Sequence, residues 1–113
     1  MRAQDVLRAY GVRPNKGLGQ NFLTDPMLLA GMVERCGVES GDRVLEIGPG
    51  LGTLTVALAD RAEKVVAVEI DRALKEALGA MTAGFGNVEI IYGDFTKMDL
   101  TELWQDQDRK SVV

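Results

Sequence analysis

The fold of this chain is decided by residues 44–55, VLEIGPGLGTLT. The first four residues are strand-like and apolar with one acid among them, three glycines follow at every second position, and a helical pattern then begins. Glycine lets the backbone turn tightly and lets a ligand approach where a Cβ atom would stand in the way, and the following helix presents free N–H groups. The stretch is typical of a turn that binds a nucleotide-type ligand.

Composition limits what this turn can belong to. The chain has 113 residues, 46% hydrophobic and 27% charged, which is typical of one globular domain. No run approaches about 18 consecutive apolar residues, so we expect no membrane span or signal peptide, and a cytoplasmic location by default. Cys36 is the single cysteine and histidine is absent, which excludes disulfide frameworks, Cys/His zinc sites and imidazole chemistry. We therefore expect no metal site.

The net charge of −4 is unevenly distributed. Residues 1–20 carry four basic side chains against Asp5, a local charge of +3, which leaves −7 for the remainder. Such an arm could contact the phosphates of a nucleic acid, and it could equally be a solvated terminal surface. The basic residues are Arg2, Arg8, Arg13 and Lys16.

Helical and strand-like segments alternate along the chain. A helix is predicted to start at residues 24–26, where an oxygen acceptor precedes Pro26, and to end at Gly37. Strands are predicted at residues 43–47, 65–68 and 88–92, and helices follow the first two at residues 53–61 and 71–81. This alternation predicts an α/β fold with right-handed crossovers and a parallel, doubly wound sheet.

Three acids lie at the carboxyl ends of the predicted strands, where ligands bind in such sheets. Glu46 lies near the end of the first strand, Glu69 ends the second, and Asp94 follows the third. Any one of them could simply cap a helix or lie in solvent. Three at equivalent positions beside a glycine turn favour a binding site, and Glu69 is placed to accept the hydroxyl protons of a ribose.

The glycine spacing separates two candidate ligands. A dinucleotide fingerprint, G-x-G-x-x-G, requires a glycine where this chain has Thr53, which counts against NAD. Carboxylates also disfavour a diphosphate, whereas a cationic ligand with a ribose and an adenine would use Glu69 for its hydroxyls and Asp94 for its exocyclic amine. S-adenosylmethionine, with its sulfonium and ammonium groups, fits this description.

Four stretches together resemble the ribosomal-RNA adenine dimethyltransferases. They are residues 19–23 (GQNFL), 46–55 (EIGPGLGTLT), 68–71 (VEID) and 93–94 (GD). The resemblance covers roughly residues 13–100 and is closest to the small-subunit (kasugamycin-sensitivity) branch. The erythromycin-resistance relatives, which act on large-subunit RNA, share the first stretch and are the alternative.

The resemblance implies a Rossmann-like class I methyltransferase sheet with a cofactor site built from three parts. A covering loop would close over S-adenosylmethionine, the glycine turn would pass under its methionine part, and acids would hold its ribose and adenine. The implied cofactor-binding residues are Gln20, Asn21, Leu23, Glu46, Gly48, Gly50, Glu69 and Asp94.

The family's chemistry implies direct displacement, in which the exocyclic nitrogen of a flipped adenine attacks the methyl carbon twice, with no metal and no covalent intermediate. In the family, an Asn-Leu-Pro-Tyr type motif after a fourth strand supplies the hydrogen-bond acceptors. This chain has no such motif before Val113, so we expect no catalytic residue in it. We interpret it as the amino-terminal piece of a longer enzyme, with an arm and covering loop at residues 1–23 and the first half of the cofactor domain at residues 24–113.

Two further expectations follow. A sheet truncated after about three parallel strands would leave strand Val44–Ile47 at an edge, through which two copies could associate. The RNA partner would be bound mostly by residues beyond this chain, with a contribution from the basic arm. Rival functions are a non-catalytic nucleic-acid-binding relative and a nucleotide oxidoreductase, the second of which Thr53 and Asp94 disfavour.

Overall fold

The computed structural model describes residues 25–99 and the backbone of residues 110–112. The predictions for the covering loop and the basic arm lie outside these residues and stay predictions. They concern Gln20, Asn21, Leu23, Arg2, Arg8, Arg13 and Lys16.

Helices and strands alternate in the order that the sequence predicts. The helices are α1 (Pro26–Arg35), α2 (Thr53–Ala59) and α3 (Lys75–Thr82). The strands are β1 (Arg43–Ile47), β2 (Lys64–Glu69), β3 (Val88–Tyr92) and β4 (Lys110–Val112). Short 3-10 helices at Arg72–Leu74 and Phe95–Lys97 follow β2 and β3.

All four strands are parallel and lie in the order β3-β2-β1-β4. β1 pairs with β2 from Arg43 opposite Lys64 to Ile47 opposite Val68. From β1 the strand order runs outward through β2 to β3, and it then reverses, because β4 lies on the far side of β1. With helices between the first three strands, this reversal confirms the predicted doubly wound α/β fold.

The structure adds a fourth strand to the three that the sequence predicts. β4 pairs with the far side of β1, from Arg43 opposite Lys110 to Leu45 opposite Val112. The first half of β1 is therefore not a sheet edge, and β4 occupies the edge through which two copies were expected to associate by Val44–Ile47. Three residues are too few to show a hydrophobic periodicity, so a sequence pattern could not reveal this strand. Its pairing with β1 holds it in the sheet.

Local sequence explains where the elements begin. The Asp25 side chain caps α1 by accepting hydrogen bonds from the N–H groups of Met27 at 3.0 Å and Leu28 at 3.4 Å, with Pro26 in the first turn. Asp71 caps the 3-10 turn after β2 by accepting from Ala73 N–H at 2.9 Å. The predicted helix over residues 71–81 therefore opens with a 3-10 turn before α3 begins.

The core lies on both faces of the sheet. One face packs against α1 and α2 through the buried cluster Val33, Val38, Val44, Leu58, Ala59, Ala62 and Val65. The other face buries Leu45, Val66 and Val68 against Ile91, Phe95 and Met98. Adjacent strand residues thus serve opposite faces, as the period of two requires. Among residues 25–99, no helix is long and apolar enough to cross a membrane.

Gly52 joins the glycine turn to the packing of α3. It precedes α2 with φ of 85°, and a Cβ atom there would lie 2.7 Å from Leu78 Cδ1 and 3.3 Å from Met81 Cγ. We expect Gly52→Ala to lower the free energy of unfolding by about 2–4 kcal/mol, because a left-handed backbone conformation and overpacking both add cost. Urea unfolding measures this.

Gly79→Ala is the matched control for this substitution. Gly79 is exposed within α3 and a Cβ atom there would meet nothing within 4 Å, so the same change should stabilise the chain by about 0.5–1 kcal/mol. Equal stability of the Gly52→Ala variant and the unmodified chain would contradict the assignment of Gly52 to close packing.

Candidate functional site

The glycine turn after β1 is held in a conformation that other residues rarely adopt. Gly48, Gly50 and Gly52 have φ of 73°, 59° and 85°. Gly48 N–H donates to the Val68 carbonyl oxygen and Gly52 N–H to that of Pro49, each at 2.9 Å. A Cβ atom at Gly48 or Gly50 would meet no atom of residues 25–99 within 4 Å, so these residues leave room for a ligand on this side of the turn.

Glu69 lies at the end of β2 with its carboxylate against the glycine turn. The residue is only 5% exposed. Its Oε1 accepts a hydrogen bond from Gly50 N–H at 2.8 Å, and its Oε2 accepts one from Asp71 N–H at 3.0 Å. An ionised carboxylate can accept about four hydrogen bonds, so both oxygens keep capacity for a ligand. The structure thus brings the predicted ribose-binding acid to the predicted turn.

Glu46 is buried in β1 and has an internal partner. It is 3% exposed, and the fully buried Thr55 hydroxyl of α2 donates to its Oε1 at 2.5 Å. Burial raises the pKa of Glu46 to about 7, the hydrogen bond from Thr55 opposes this rise, and the charge of Glu69 adds to it. Contact between Glu46 and a ligand stays a prediction.

Asp94 follows β3 and caps the next 3-10 helix. Its Oδ1 accepts hydrogen bonds from the N–H of Thr96 at 2.9 Å and from the Thr96 hydroxyl at 2.6 Å. Its Oδ2 has no hydrogen bond to any residue in the described part of the chain. The preceding Gly93 N–H donates to the Glu69 carbonyl oxygen at 2.9 Å, which ties the Asp94 loop to the end of β2.

Two exposed isoleucines at the same edge were missed by sequence reasoning. Ile47 ends β1 at 42% exposure, and Ile70 directly follows Glu69 at 65% exposure. Hydrophobic periodicity assigns such residues to the core, and the only sequence signal was their position immediately beside the glycine turn and an acid. Large exposed apolar side chains beside polar acceptors provide a surface for a flat heterocyclic ring.

The assembled site offers hydrogen-bond acceptors and apolar surface at one edge of the sheet. Two of its three acids lie on adjacent strands, and each of the three has at least one donor from the protein. No group of three or more Cys, Asp or Glu side chains that could hold a metal ion occurs within residues 25–99. Because carboxylate oxygens accept hydrogen bonds, these acids can bind the hydroxyl and amino groups of a ligand.

Comparison with known proteins agrees with this geometry. Residues 11–112 match the sequence model of the ribosomal RNA adenine dimethylase family. The ribosomal RNA small subunit methyltransferase A of Pelotomaculum thermopropionicum is 46% identical over 100 residues, which are 88% of this chain and 34% of that protein. This chain spans about a third of the length of the curated relatives it matches.

Solved structures share the fold. The 23S rRNA methyltransferase ErmE superposes with a TM-score of 0.61 at 37% identity, over 66% of this chain and 31% of that one. A dimethyladenosine transferase from Plasmodium falciparum superposes with a TM-score of 0.59 at 34% identity, over 66% and 28%. The Rossmann-like methyltransferase fold expected from the sequence is confirmed.

The raised pKa of Glu46 predicts a pH-dependent stability. Since its pKa rises from 4.5 to about 7 on folding, the protonated carboxyl favours the folded chain, and stability falls as pH rises through 7. Between about pH 5.5 and 8.5, this loss should be about 2 kcal/mol. Glu46→Gln, whose amide oxygen can still accept from Thr55, should lack it and be the more stable form at pH 8.5.

Urea unfolding at several pH values tests this prediction. Glu76→Gln, which changes an exposed acid in the first turn of α3, is the control and should keep the decline of the unmodified chain. If Glu46→Gln shows the same pH dependence as that control, Glu46 does not titrate as the geometry indicates.

Proposed function

This chain belongs to the ribosomal RNA adenine dimethylase family, and we propose that it forms the S-adenosylmethionine-binding part of an enzyme that dimethylates adenines in small-subunit ribosomal RNA. Family membership confirms the resemblance identified from the four sequence stretches. Curated relatives at 41–46% identity carry the small-subunit name, which supports that branch over the large-subunit alternative.

The observation that carries the cofactor proposal is the position of the Glu69 carboxylate. It lies at the carboxyl end of a central strand and bonds the glycine turn through Gly50 N–H at 2.8 Å. With two of about four acceptor positions used, it has the capacity to accept both hydroxyls of a ribose. An acid in this position also binds the ribose of NAD, so the preference for S-adenosylmethionine rests on Thr53, which replaces the third glycine of the dinucleotide fingerprint, and on the family match.

The adenine would lie between Asp94 and Ile70. The Oδ2 of Asp94 is the acceptor for the exocyclic amine, because Oδ1 is occupied by Thr96. Ile70, at 65% exposure, provides apolar contact for the ring. Both residues follow strands that end at the same edge of the sheet as Glu69.

The methionine part would lie over Gly48 and Gly50, where residues 25–99 leave open space above the backbone. A positive charge on a ligand there would favour the ionised form of the buried Glu46 carboxyl. When bound, S-adenosylmethionine supplies a methyl carbon activated by its sulfonium. This chain's residues bind and orient, and the acceptors that act on the target adenine belong to the part of the family that this chain does not span.

The covering loop and the RNA contact complete the proposal. In the family, residues matching Gln20, Asn21 and Leu23 close over the cofactor, and the basic arm of residues 1–20 is suited to phosphates. A protein of this kind would act in ribosome biogenesis, in the cytoplasm.

We predict that this chain binds S-adenosylmethionine and that Glu69→Ala weakens binding by roughly 1.5–3 kcal/mol for each ribose hydrogen bond lost. Isothermal titration calorimetry measures both affinities. Glu76→Ala removes an exposed carboxylate from the neighbouring helix and should leave the affinity unchanged. Equal affinity of the Glu69→Ala variant and the unmodified chain would refute the ribose assignment.

We predict methyl transfer by a chimera in which this chain replaces the matching third of the Pelotomaculum thermopropionicum relative. The chimera should transfer two methyl groups to each target adenine of small-subunit ribosomal RNA, as measured by mass spectrometry of nucleosides, and Glu69→Ala should reduce that yield. Cofactor binding without transfer would instead favour the non-catalytic nucleic-acid-binding alternative. Tight binding of NADH without S-adenosylmethionine binding would favour an oxidoreductase.

A further inference from the structure

The Glu69 side chain connects two backbone segments that are far apart in sequence. Its Oε1 accepts from Gly50 N–H in the glycine turn at 2.8 Å, and its Oε2 accepts from Asp71 N–H at the start of the next 3-10 helix at 3.0 Å. Glu69 is 5% exposed, so both hydrogen bonds are largely shielded from water. Hydrogen bonds from N–H groups to an ionised acceptor are roughly twice as strong as neutral ones.

The three glycine amides of the turn differ in what holds them. Gly48 N–H donates to a backbone oxygen of β2, and Gly52 N–H donates to Pro49 within the turn itself. Gly50 N–H, in the middle, donates to the Glu69 carboxylate. Glycine loses more conformational freedom on ordering than any other residue. The hydrogen bond from Gly50 N–H to Glu69, called the tether below, therefore helps to hold Gly50 at its φ of 59°.

We propose that Glu69 is a positioning residue for the glycine turn, in addition to its proposed contact with the ribose. The surface for the methionine part of the ligand then depends on an acid at the ribose end of the site. The ligand assignment rests on the proposed function, whereas the tether to Gly50 does not.

The carboxylate can serve both roles at once. Its two oxygens accept about four hydrogen bonds, two from the backbone and two from a ligand, so a bound ribose would not displace the turn. Glu69→Ala breaks both hydrogen bonds because it removes both acceptor oxygens, whereas the amide of Glu69→Gln would keep one acceptor oxygen that can still face Gly50 N–H.

The tether is tested first without ligand. A scalar coupling between Gly50 ¹⁵N and the Glu69 carboxylate carbon, measured by NMR in the unmodified chain, should be present. In Glu69→Ala, the Gly50 amide should exchange with solvent about tenfold faster, while the Gly48 and Gly52 amides keep their rates. Absence of the coupling, unchanged exchange at Gly50, or equal acceleration at all three glycines overturns the proposal.

The effect on the ligand is tested by a cycle of protein and ligand changes. S-adenosylhomocysteine and its 2′,3′-dideoxy analogue are titrated against the unmodified chain, Glu69→Ala and the control Glu76→Ala. If Glu69 also positions the turn, Glu69→Ala should still weaken the dideoxy analogue about fivefold or more. If the effect of Glu69→Ala vanishes with that analogue, Glu69 acts through the ribose alone and the positioning role is refuted.

The two experiments separate this proposal from the proposed function. Failure of the unmodified chain to bind S-adenosylhomocysteine would count against the function, while the scalar coupling and amide exchange would still report on the tether. Normal binding with no tether to Gly50 would count against the positioning role alone.

Discussion

The structure depends on the parallel pairing of β1 with β2. Residues Val65–Glu69 are 0–5% exposed, and a strand buried on both faces cannot slip by one residue without exchanging its two sets of side chains. The register that places Ile47 opposite Val68 also brings Gly48 N–H to the Val68 carbonyl oxygen. Because of that register, the glycine turn meets the Glu69 carboxylate, although Gly50 and Glu69 are 19 residues apart in the chain.

Sequence reasoning located the three longer strands well, because each is rich in apolar strand-forming residues and is followed by a helix or a glycine. The bounds of β1 and β3 agree with the prediction, and β2 is longer by Lys64 and Glu69, whose polar side chains conceal their extended backbone from a hydrophobicity pattern. β4 could not be predicted, since three residues specify no pattern and their order comes from non-local pairing with β1. Local patterns predict elements, whereas pairing partners follow from the assembled sheet.

The same distinction holds at the site. The capping role of Asp94 is local, because its partner Thr96 lies two residues away. Glu69 has one local partner, Asp71, but Thr55 lies nine residues from Glu46 and Gly50 lies 19 residues from Glu69, and only the folded sheet brings these pairs together. Ile70 escaped notice because periodicity treats an isoleucine as buried, although here it lies at the exposed end of a strand.

The two buried acids of the central strands, Glu46 and Glu69, differ in the hydrogen-bond donors that they meet. Glu69 accepts hydrogen bonds from two backbone N–H groups. Glu46 receives one hydroxyl, so burial dominates and raises its pKa to about 7. Near neutral pH, Glu46 is therefore divided between its neutral and ionised forms, and an approaching cation shifts that balance towards the charged form. The Glu69 carboxylate thus joins the glycine turn to the start of the next 3-10 helix, whereas the Glu46 carboxyl joins β1 to Thr55 of α2.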